Sequence, residues 1–342
     1  MAHPIRRVTS VRVIGRSILN LQTAGSWRVR KLRLRPAAGI LSAMAMAWPL
    51  LAQGPPARQH TATRSAGIQQ LVPATASPPL ANRVSIQIEG PFRVIRANGV
   101  PNHRTGAFPN RGNPHRIAGQ NYTYRVPAKP QQASSPTPLN MRTNFGVAVN
   151  GVPFDPGAAE WYLGQRHGPW QYEALSGAVP LGIDSSHAHV QPTGAYHYHG
   201  LPGQLLDALG FSAEKHSPLV GWAADGFPIY AIYGYATGTD PASKIQAMKP
   251  SYRLKRGERP RGPGDPGGQY DGTFLADYEY VKGLGDLDEC NGRFGVTPEF
   301  PEGTYAYFLT SEWPVIPRCH RGVPSSDFQR RPPGRHRPPR RR

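Results

Sequence analysis

The chain has 342 residues, of which 38% are hydrophobic and 38 each are glycine and proline; this composition allows one sizeable core and favours many turns over long helices. Its net charge of +19 arises at the two ends, because residues 1–88 hold 12 basic residues and no acidic one, and residues 329–342 hold seven arginines. The 21 basic residues in between balance the 21 acidic ones, so the charge does not indicate a nucleic-acid partner, whose binding domain would be basic in its folded part.

Residues 1–53 are predicted to be a targeting region. A positively charged segment at residues 28–35 precedes an uncharged and mostly apolar stretch at residues 37–51, which is the layout of a secretory signal peptide. The apolar stretch is shorter than the roughly 20 residues that a transmembrane helix needs. We therefore expect an exported protein, periplasmic or extracellular, that keeps no stable membrane span after signal cleavage. An uncleaved, anchoring signal is the alternative.

The rest of the chain divides by composition into three parts. Residues 54–81 are rich in proline, alanine and threonine and are predicted to be a linker. Residues 82–328 are predicted to be the ordered domain. Residues 329–342 are mostly arginine and proline, with little to bury, and are predicted to be a disordered tail.

Within the domain, short apolar runs bounded by turn residues predict strands. Residues 83–89 alternate polar and apolar side chains, as a half-buried strand does. The turn dipeptides Asn150-Gly151 and Asp225-Gly226 each follow an apolar run, which predicts two hairpins. Residues 158–163 and 205–209 are short helix candidates. The expected fold is therefore mainly β: a single, antiparallel, sandwich-like domain with few short helices.

Four histidines form the most specific pattern in the sequence. His187 and His189 make one His-x-His unit, His197 and His199 make another, and residues i and i+2 of a strand point to the same face. The loop at residues 192–194, Pro-Thr-Gly, fits a three-residue hairpin turn that ends in a left-handed glycine. In that register His189 lies opposite His197, and His187 lies opposite His199. All four imidazoles then share one face of the ribbon.

A group of neutral imidazoles suits copper, zinc, iron or nickel better than calcium or magnesium, and copper or zinc is the expected metal. A subset of three histidines with one open coordination position would be a catalytic arrangement. The alternative is that these histidines are hydrogen-bonded strand residues that hold no metal. The other face of the predicted hairpin, formed by Ala188, Val190, Tyr196 and Tyr198, is expected to pack in the core.

The same pattern recurs later in the chain without its histidines. Residues 194–199 match residues 303–308 in one glycine and two tyrosines, while both histidine positions are replaced. The aligned residues upstream are Asp184 with Asp288, His187 with Asn291, and His189 with Arg293. Two related halves are one explanation, and chance similarity between two short β hairpins is the other.

The chain has two cysteines, Cys290 and Cys319, which are predicted to form one disulfide. An even and low cysteine count fits an exported protein in an oxidising compartment. Two buried free thiols are the alternative.

At these residues the sequence resembles the YHYH family of bacterial proteins, which is named for the Tyr-His-Tyr-His run found here at residues 196–199. The likeness extends to residues 144–154, 221–230, 287–292 and 313–319. It covers roughly residues 82–328. The resemblance implies a secreted domain and does not imply a particular reaction.

Three functions are compatible with these patterns. The sequence favours an exported metal-binding protein whose site is built from the four histidines. A metal-dependent enzyme outside the cytoplasm, hydrolytic or oxidative, would use the same site with an open coordination position. An extracellular interaction module with structural histidines is the third hypothesis. A ligand-sized cleft beside the histidines would favour the enzyme, whereas the sequence alone indicates no substrate and no protein partner.

Overall fold

The computed structural model describes residues 70–330. The predicted signal region, most of the predicted linker and nearly all of the predicted tail lie outside these residues. Within the described part, no helix combines the length and the apolar character that a membrane crossing requires.

The described chain consists mainly of short strands. In chain order they are β1 (Val84–Glu89), β2 (Phe92–Ala97), β3 (Tyr122–Pro127), β4 (Thr137–Pro138), β5 (Gly146–Ala148), β6 (Pro153–Phe154), β7 (Gly157–Trp161), β8 (Gln171–Glu173), β9 (Ala188–Val190), β10 (Tyr196–Tyr198), β11 (Gly221–Ala223), β12 (Pro228–Ala231), β13 (Tyr233–Tyr235), β14 (Ile245–Ala247), β15 (Tyr252–Leu254), β16 (Tyr278–Tyr280), β17 (Gly292–Thr297), β18 (Phe300–Leu309) and β19 (Cys319–His320). The helical elements are α1 (Gly203–Ala208) and 3-10 turns at Tyr162–Gly164, Leu275–Asp277 and Ser326–Phe328.

Strand pairing confirms the prediction of a mainly β domain with few short helices. The largest sheet has eight strands in the spatial order β17-β18-β12-β11-β5-β6-β10-β9, and a second sheet has the order β1-β2-β3. Two-stranded ribbons pair β4 with β19, β7 with β8, β13 with β14, and β15 with β16. Most pairs are antiparallel, as predicted, but β6 with β10 and β12 with β18 are parallel. The large sheet is therefore mixed. Each parallel pair is joined by a long connection, as parallel strands require, whereas a short hairpin can join only antiparallel strands.

The three-stranded sheet packs against one face of the eight-stranded sheet, which gives the predicted sandwich-like arrangement. Tyr124 of the small sheet shares a buried cluster with Val147 and Trp222 of the large sheet. The next residues along those two strands, Ala148 and Ala223, belong to the main core cluster. Successive strand residues point to opposite faces, so the large sheet is covered on both sides.

The local predictions hold at the hairpins and fail at one helix. Asn150-Gly151 joins β5 to β6, and Asp225-Gly226 joins β11 to β12, as the turn dipeptides predict. The candidate helix at residues 205–209 overlaps α1. The candidate helix at residues 158–163 is wrong, since this stretch forms most of β7 and a 3-10 turn; pairing with β8 overrides its local propensity.

The large sheet consists of two related halves. From its centre outward, β5-β6-β10-β9 on one side repeats the arrangement of β11-β12-β18-β17 on the other. Val147 lies opposite Trp222 at the central pairing of β5 with β11. The parallel contacts also correspond: Phe154 pairs with Tyr198 in one half, and Ile229 pairs with Tyr307 in the other.

Matching hydrogen bonds exclude a chance resemblance between the halves. The carboxylates of Asp184 and Asp288 each accept hydrogen bonds from a tyrosine hydroxyl and from the backbone N–H groups two and four residues later. These shared donors are Ser186 N, Ala188 N and Tyr196 Oη for Asp184, and Cys290 N, Gly292 N and Tyr305 Oη for Asp288. Asp184 also accepts from Gly106 N at 2.9 Å, outside the shared pattern. Each turn also contains one left-handed residue, His187 with φ 51° and Asn291 with φ 55°. The predicted pair of related halves is therefore confirmed.

The disulfide between Cys290 and Cys319 is present, with a Cα–Cα distance of 5.0 Å, and confirms the predicted pairing. Cys290 belongs to the turn after Asp288, and Cys319 lies in β19. The bond therefore fixes the second half of the large sheet to a segment 29 residues later in the chain.

Ordered contacts extend past both predicted limits of the domain. Near the amino end, Val72 N donates to Ile183 O at 2.8 Å. Near the carboxyl end, Arg330 N donates to Arg142 O at 2.6 Å. Since both segments contact the part of the fold that carries the histidines, the full chain is a better object for experiments than residues 82–328.

Candidate metal centre

The hairpin that carries the histidines has the register that its sequence predicts. His189 lies opposite His197, Ala188 opposite Tyr198, and Gln191 N donates to Ala195 O at 2.9 Å across the three-residue loop. The loop closes with Gly194 at φ 84°, a conformation that glycine adopts without steric cost. A Cβ on Gly194 would lie only 2.5 Å from the Cβ of Ala118, so the loop also needs glycine for space.

The alternating faces of this hairpin are separated as predicted. The four residues of the core face are Ala188, Val190, Tyr196 and Tyr198, and none is more than 1% exposed. The histidines at positions 189 and 197 therefore point to the opposite side of the ribbon.

Three of the four predicted ligands converge on one point. The Nε2 atom of His199 lies 3.0 Å from the Nε2 atoms of both His189 and His197. The three ring centroids are 4.7 Å apart in every pair. Three imidazoles bound to one tetrahedral zinc ion would place their nitrogen atoms roughly 3.3 Å apart, given metal–nitrogen bonds of about 2.0–2.1 Å. Within residues 70–330, this is the group whose potential ligand atoms come close enough to share an ion.

Backbone carbonyls fix the protonation of two of these rings. His189 Nδ1 lies 2.9 Å from Leu181 O, and His197 Nδ1 lies 3.2 Å from Ala195 O. A carbonyl oxygen only accepts hydrogen bonds, so each Nδ1 carries the proton and each Nε2 presents a lone pair to the centre. Donation of Nδ1–H to a carbonyl is the usual way in which a metal-binding histidine is oriented.

His199 has no protonation state that satisfies both of its ring nitrogens. Its Nδ1 is buried without a hydrogen-bond partner, and its Nε2 faces the lone pairs of His189 and His197. A proton on Nδ1 would leave three lone pairs facing one another. A proton on Nε2 would leave a buried, unpaired acceptor at Nδ1, which costs about 1–3 kcal/mol. A cation at the centre would satisfy all three Nε2 atoms at once, with the proton of His199 on its unpaired Nδ1.

Burial keeps this group of rings neutral. The pKa of His197 and that of His199 both lie well below the usual histidine value, because both side chains are removed from water and face other histidines and Arg330. The pKa of His189 is lowered for the same principal reason, burial. Neutral imidazole is the form that binds metal, so binding at neutral pH requires no net loss of a proton from these rings.

The structure does not bring His187 to the other three histidines. Its Nδ1 lies 2.8 Å from Leu201 O, and its backbone is left-handed. The predicted alternation requires extended backbone at residue 187, and the turn after Asp184 replaces it. The backbone contact expected from the register is nevertheless present, since His199 N donates to His187 O at 2.7 Å. The converging group is therefore His189, His197 and His199.

An ion pair with a buried carboxylate lies next to the three histidines. Asp155, whose side chain is 3% exposed, places Oδ2 3.7 Å from the Nε2 of His197. The guanidinium of Arg330 forms an ion pair with the same carboxylate oxygen, and Gln191 Nε2 donates to it at 3.3 Å. This carboxylate is close enough to neutralise part of the charge of a bound metal ion.

A cleft of about 790 Å³ opens beside the site. Its walls come from β3, from the loop and strand that carry His197, and from the segment 326–330. Small-molecule sites typically have volumes of roughly 300–1,000 Å³. Among the three converging histidines, His197 lines the cleft, so a ligand there would approach the metal position from the side of this residue.

In the second half of the large sheet, none of the three histidines or Asp155 is replaced by a residue that could bind a metal ion in the same way. The equivalents of His189, His197, His199 and Asp155 are Arg293, Ala306, Phe308 and Tyr230, as the strand pairings place them. Arg293 stacks over Phe308, with its guanidinium carbon 5.7 Å from the ring centroid, and donates to Tyr235 O. The second half therefore keeps the tyrosine and aspartate frame, whereas the histidine chemistry belongs to the first half alone.

Sequence reasoning missed Asp155 and Arg330. Nothing next to Asp155 in the sequence marks it, because the parallel pairing of β6 with β10 brings it to the site. Alignment of the two halves could have identified Asp155. Its equivalent is Tyr230, and the histidines are likewise aligned with residues that do not bind metal. Arg330 lies in the segment assigned to a disordered tail, and no local pattern distinguishes it from the arginines that follow.

Comparison with known proteins gives the same family as the one that the Tyr-His-Tyr-His run suggests. The family described as YHYH protein matches residues 123–322, which include the histidine hairpin, both halves of the large sheet and the disulfide. Neither the curated proteins nor the solved structures contain a significant match to the chain. Since the match covers more than half of the sequence, this chain belongs to the YHYH family.

Proposed function

We propose that this protein is an exported metal-binding protein that holds one transition-metal ion through the Nε2 atoms of His189, His197 and His199. The observation that carries the proposal is the convergence of three neutral imidazoles, two of them buried, whose Nε2 atoms come close enough to share one ion. A cation shared by the three Nε2 atoms would remove the repulsion between lone pairs that arises when each ring carries its proton on Nδ1.

The donor set favours a transition metal such as copper or zinc over calcium or magnesium. Imidazole nitrogen binds these ions strongly, whereas calcium and magnesium prefer oxygen ligands. Export is supported by the Cys290–Cys319 disulfide, which suits an oxidising compartment, and by the signal-like sequence of residues 1–53.

A second candidate function is a metal-dependent enzyme, hydrolytic or oxidative, at the same site. The observation that favours it is the cleft, because a protein that only binds an ion needs no ligand-sized cavity beside it. Three histidine ligands also leave a fourth position for water or substrate, as in catalytic zinc sites. Asp155 Oδ2 lies 3.7 Å from the Nε2 of His197 and would be an acceptor for a water or substrate hydrogen bond near the metal.

The test is the metal content of the full chain, purified without added metal and after reconstitution with zinc or copper, by elemental mass spectrometry. We expect about one equivalent per chain, lost in the double variant His197→Ala/His199→Ala. His187→Ala is the matched control, because this histidine belongs to the same hairpin but lies outside the group. Unaltered protein that retains no metal and takes up none would refute the proposal, as would equal loss of metal in the control.

A further inference from the structure

We infer that the cleft receives a small molecule with a carboxylate group, which lies between the bound metal and the guanidinium of Arg330. This inference rests on the proposed metal site. It adds the chemical class of the ligand, which neither the three histidines nor the family assignment supplies.

The charges around the site favour an anion. A divalent metal and Arg330 together carry three positive charges, and Asp155 supplies one negative charge in contact with Arg330. The remaining charged residues of the cleft wall, Arg125 and Asp327, pair with each other at 3.4 Å and cancel. The net charge of about +2 at the inner end of the cleft attracts anionic ligands, most strongly where water is excluded.

Arg330 is held in place as a binding residue would be. Its backbone N donates to Arg142 O at 2.6 Å, and its Nε donates to Asn144 Oδ1 at 3.2 Å. The ion pair with Asp155 engages one end of the guanidinium, while the side chain remains one-quarter exposed and lines the cleft. A guanidinium offers five N–H donors in a planar fork, which matches the two oxygens of a carboxylate.

The rest of the cleft suits a polar ligand larger than the anion itself. Its uncharged polar lining includes Gln120, Asn121, Gln191, Thr193, Ser326 and Gln329. Amide and hydroxyl groups hydrogen-bond to hydroxyls and amides of a ligand and do not stabilise an apolar one. The volume of about 790 Å³ leaves space for such groups beyond the carboxylate.

The experiment uses the full chain loaded with cobalt(II), whose visible absorption responds to a change of ligand at the metal. The probes are acetate and its neutral counterpart acetamide, each titrated while the cobalt bands are recorded. We expect acetate to change the bands with a saturable dependence on concentration, and acetamide to leave them unchanged. Cobalt that does not bind would refute the metal site itself and this inference with it. Cobalt that binds without a response to acetate would overturn the inference alone.

Two variants assign the anion to Arg330. Arg330→Gln should raise the apparent Kd for acetate by about tenfold or more, since a hydrogen bond to a charged group is lost. Asp155→Asn should lower this Kd, because it removes a negative charge and frees the guanidinium. Arg125→Gln is the control from the same cleft and should change the Kd less than about threefold. Equal acetate affinity in Arg330→Gln and unaltered protein, or weaker binding in both Arg330→Gln and Asp155→Asn, would overturn the inference.

Discussion

Replacing His199 by phenylalanine should abolish metal binding without destabilising the metal-free protein. The equivalent residue in the second half of the sheet is Phe308, which is buried to the same 2% exposure as His199. The fold therefore already accommodates a phenyl ring at this position of the repeated unit. The substitution removes one ligand and also removes the ring nitrogen that has no partner.

The expected magnitude follows from that unpaired nitrogen. An unsatisfied buried polar atom costs about 1–3 kcal/mol, and fitting a larger ring offsets part of the gain from its removal. We expect the free energy of unfolding of the metal-free protein to be unchanged or raised by up to about 2 kcal/mol. In unaltered protein, metal at 100 times its Kd should add about 2.7 kcal/mol. For a domain of this size each kcal/mol corresponds to roughly 2–4 °C in Tm.

The assay is thermal unfolding of the full chain with and without zinc. Unaltered protein should gain roughly 5–11 °C with metal, and His199→Phe should gain nothing while its metal-free Tm stays equal or rises. His187→Phe should keep the metal-dependent gain. A metal-free His199→Phe protein that loses 2 kcal/mol or more would show that His199 is satisfied without a cation, which would refute the reasoning.

Two further predictions concern the fold. Gly194→Ala should destabilise the protein by about 1–3 kcal/mol in urea unfolding, because a Cβ at φ 84° would meet Ala118; an unchanged midpoint would contradict the loop geometry. The metal-free protein should lose stability as pH falls below about 6.5, since burial lowers the pKa values of His103, His216 and His320 and the unfolded chain binds protons first. Melting curves from pH 8 to 5 test this, and a constant Tm below pH 6.5 would count against it.

The parts of the site that sequence predicted correctly are those set by local rules. Alternation with period two placed His189 and His197 on one face and Tyr196 and Tyr198 on the other. The Pro-Thr-Gly loop fixed the pairing register, because its length and its left-handed glycine allow one hairpin geometry. Both rules act within a dozen residues, so they require no knowledge of the rest of the fold.

The parts that sequence did not predict depend on departures from those rules. His187 fails to join the group because one left-handed residue interrupts the strand. The aligned Asn291 was a usable signal, since asparagine is among the residues that tolerate this conformation. Asp155 reaches the site through a parallel pairing, and Arg330 through the carboxyl-terminal segment, and neither long-range contact leaves a local pattern.

X-ray absorption at the zinc or copper edge of the reconstituted full chain tests the central claim most directly. The three converging histidines predict three imidazole nitrogens, at about 2.0–2.1 Å for zinc, with a light-atom ligand such as water at the open position. Four imidazoles would contradict the exclusion of His187 and close the position on which the cleft depends. A coordination shell without imidazole nitrogens would contradict the assignment of the metal to this hairpin.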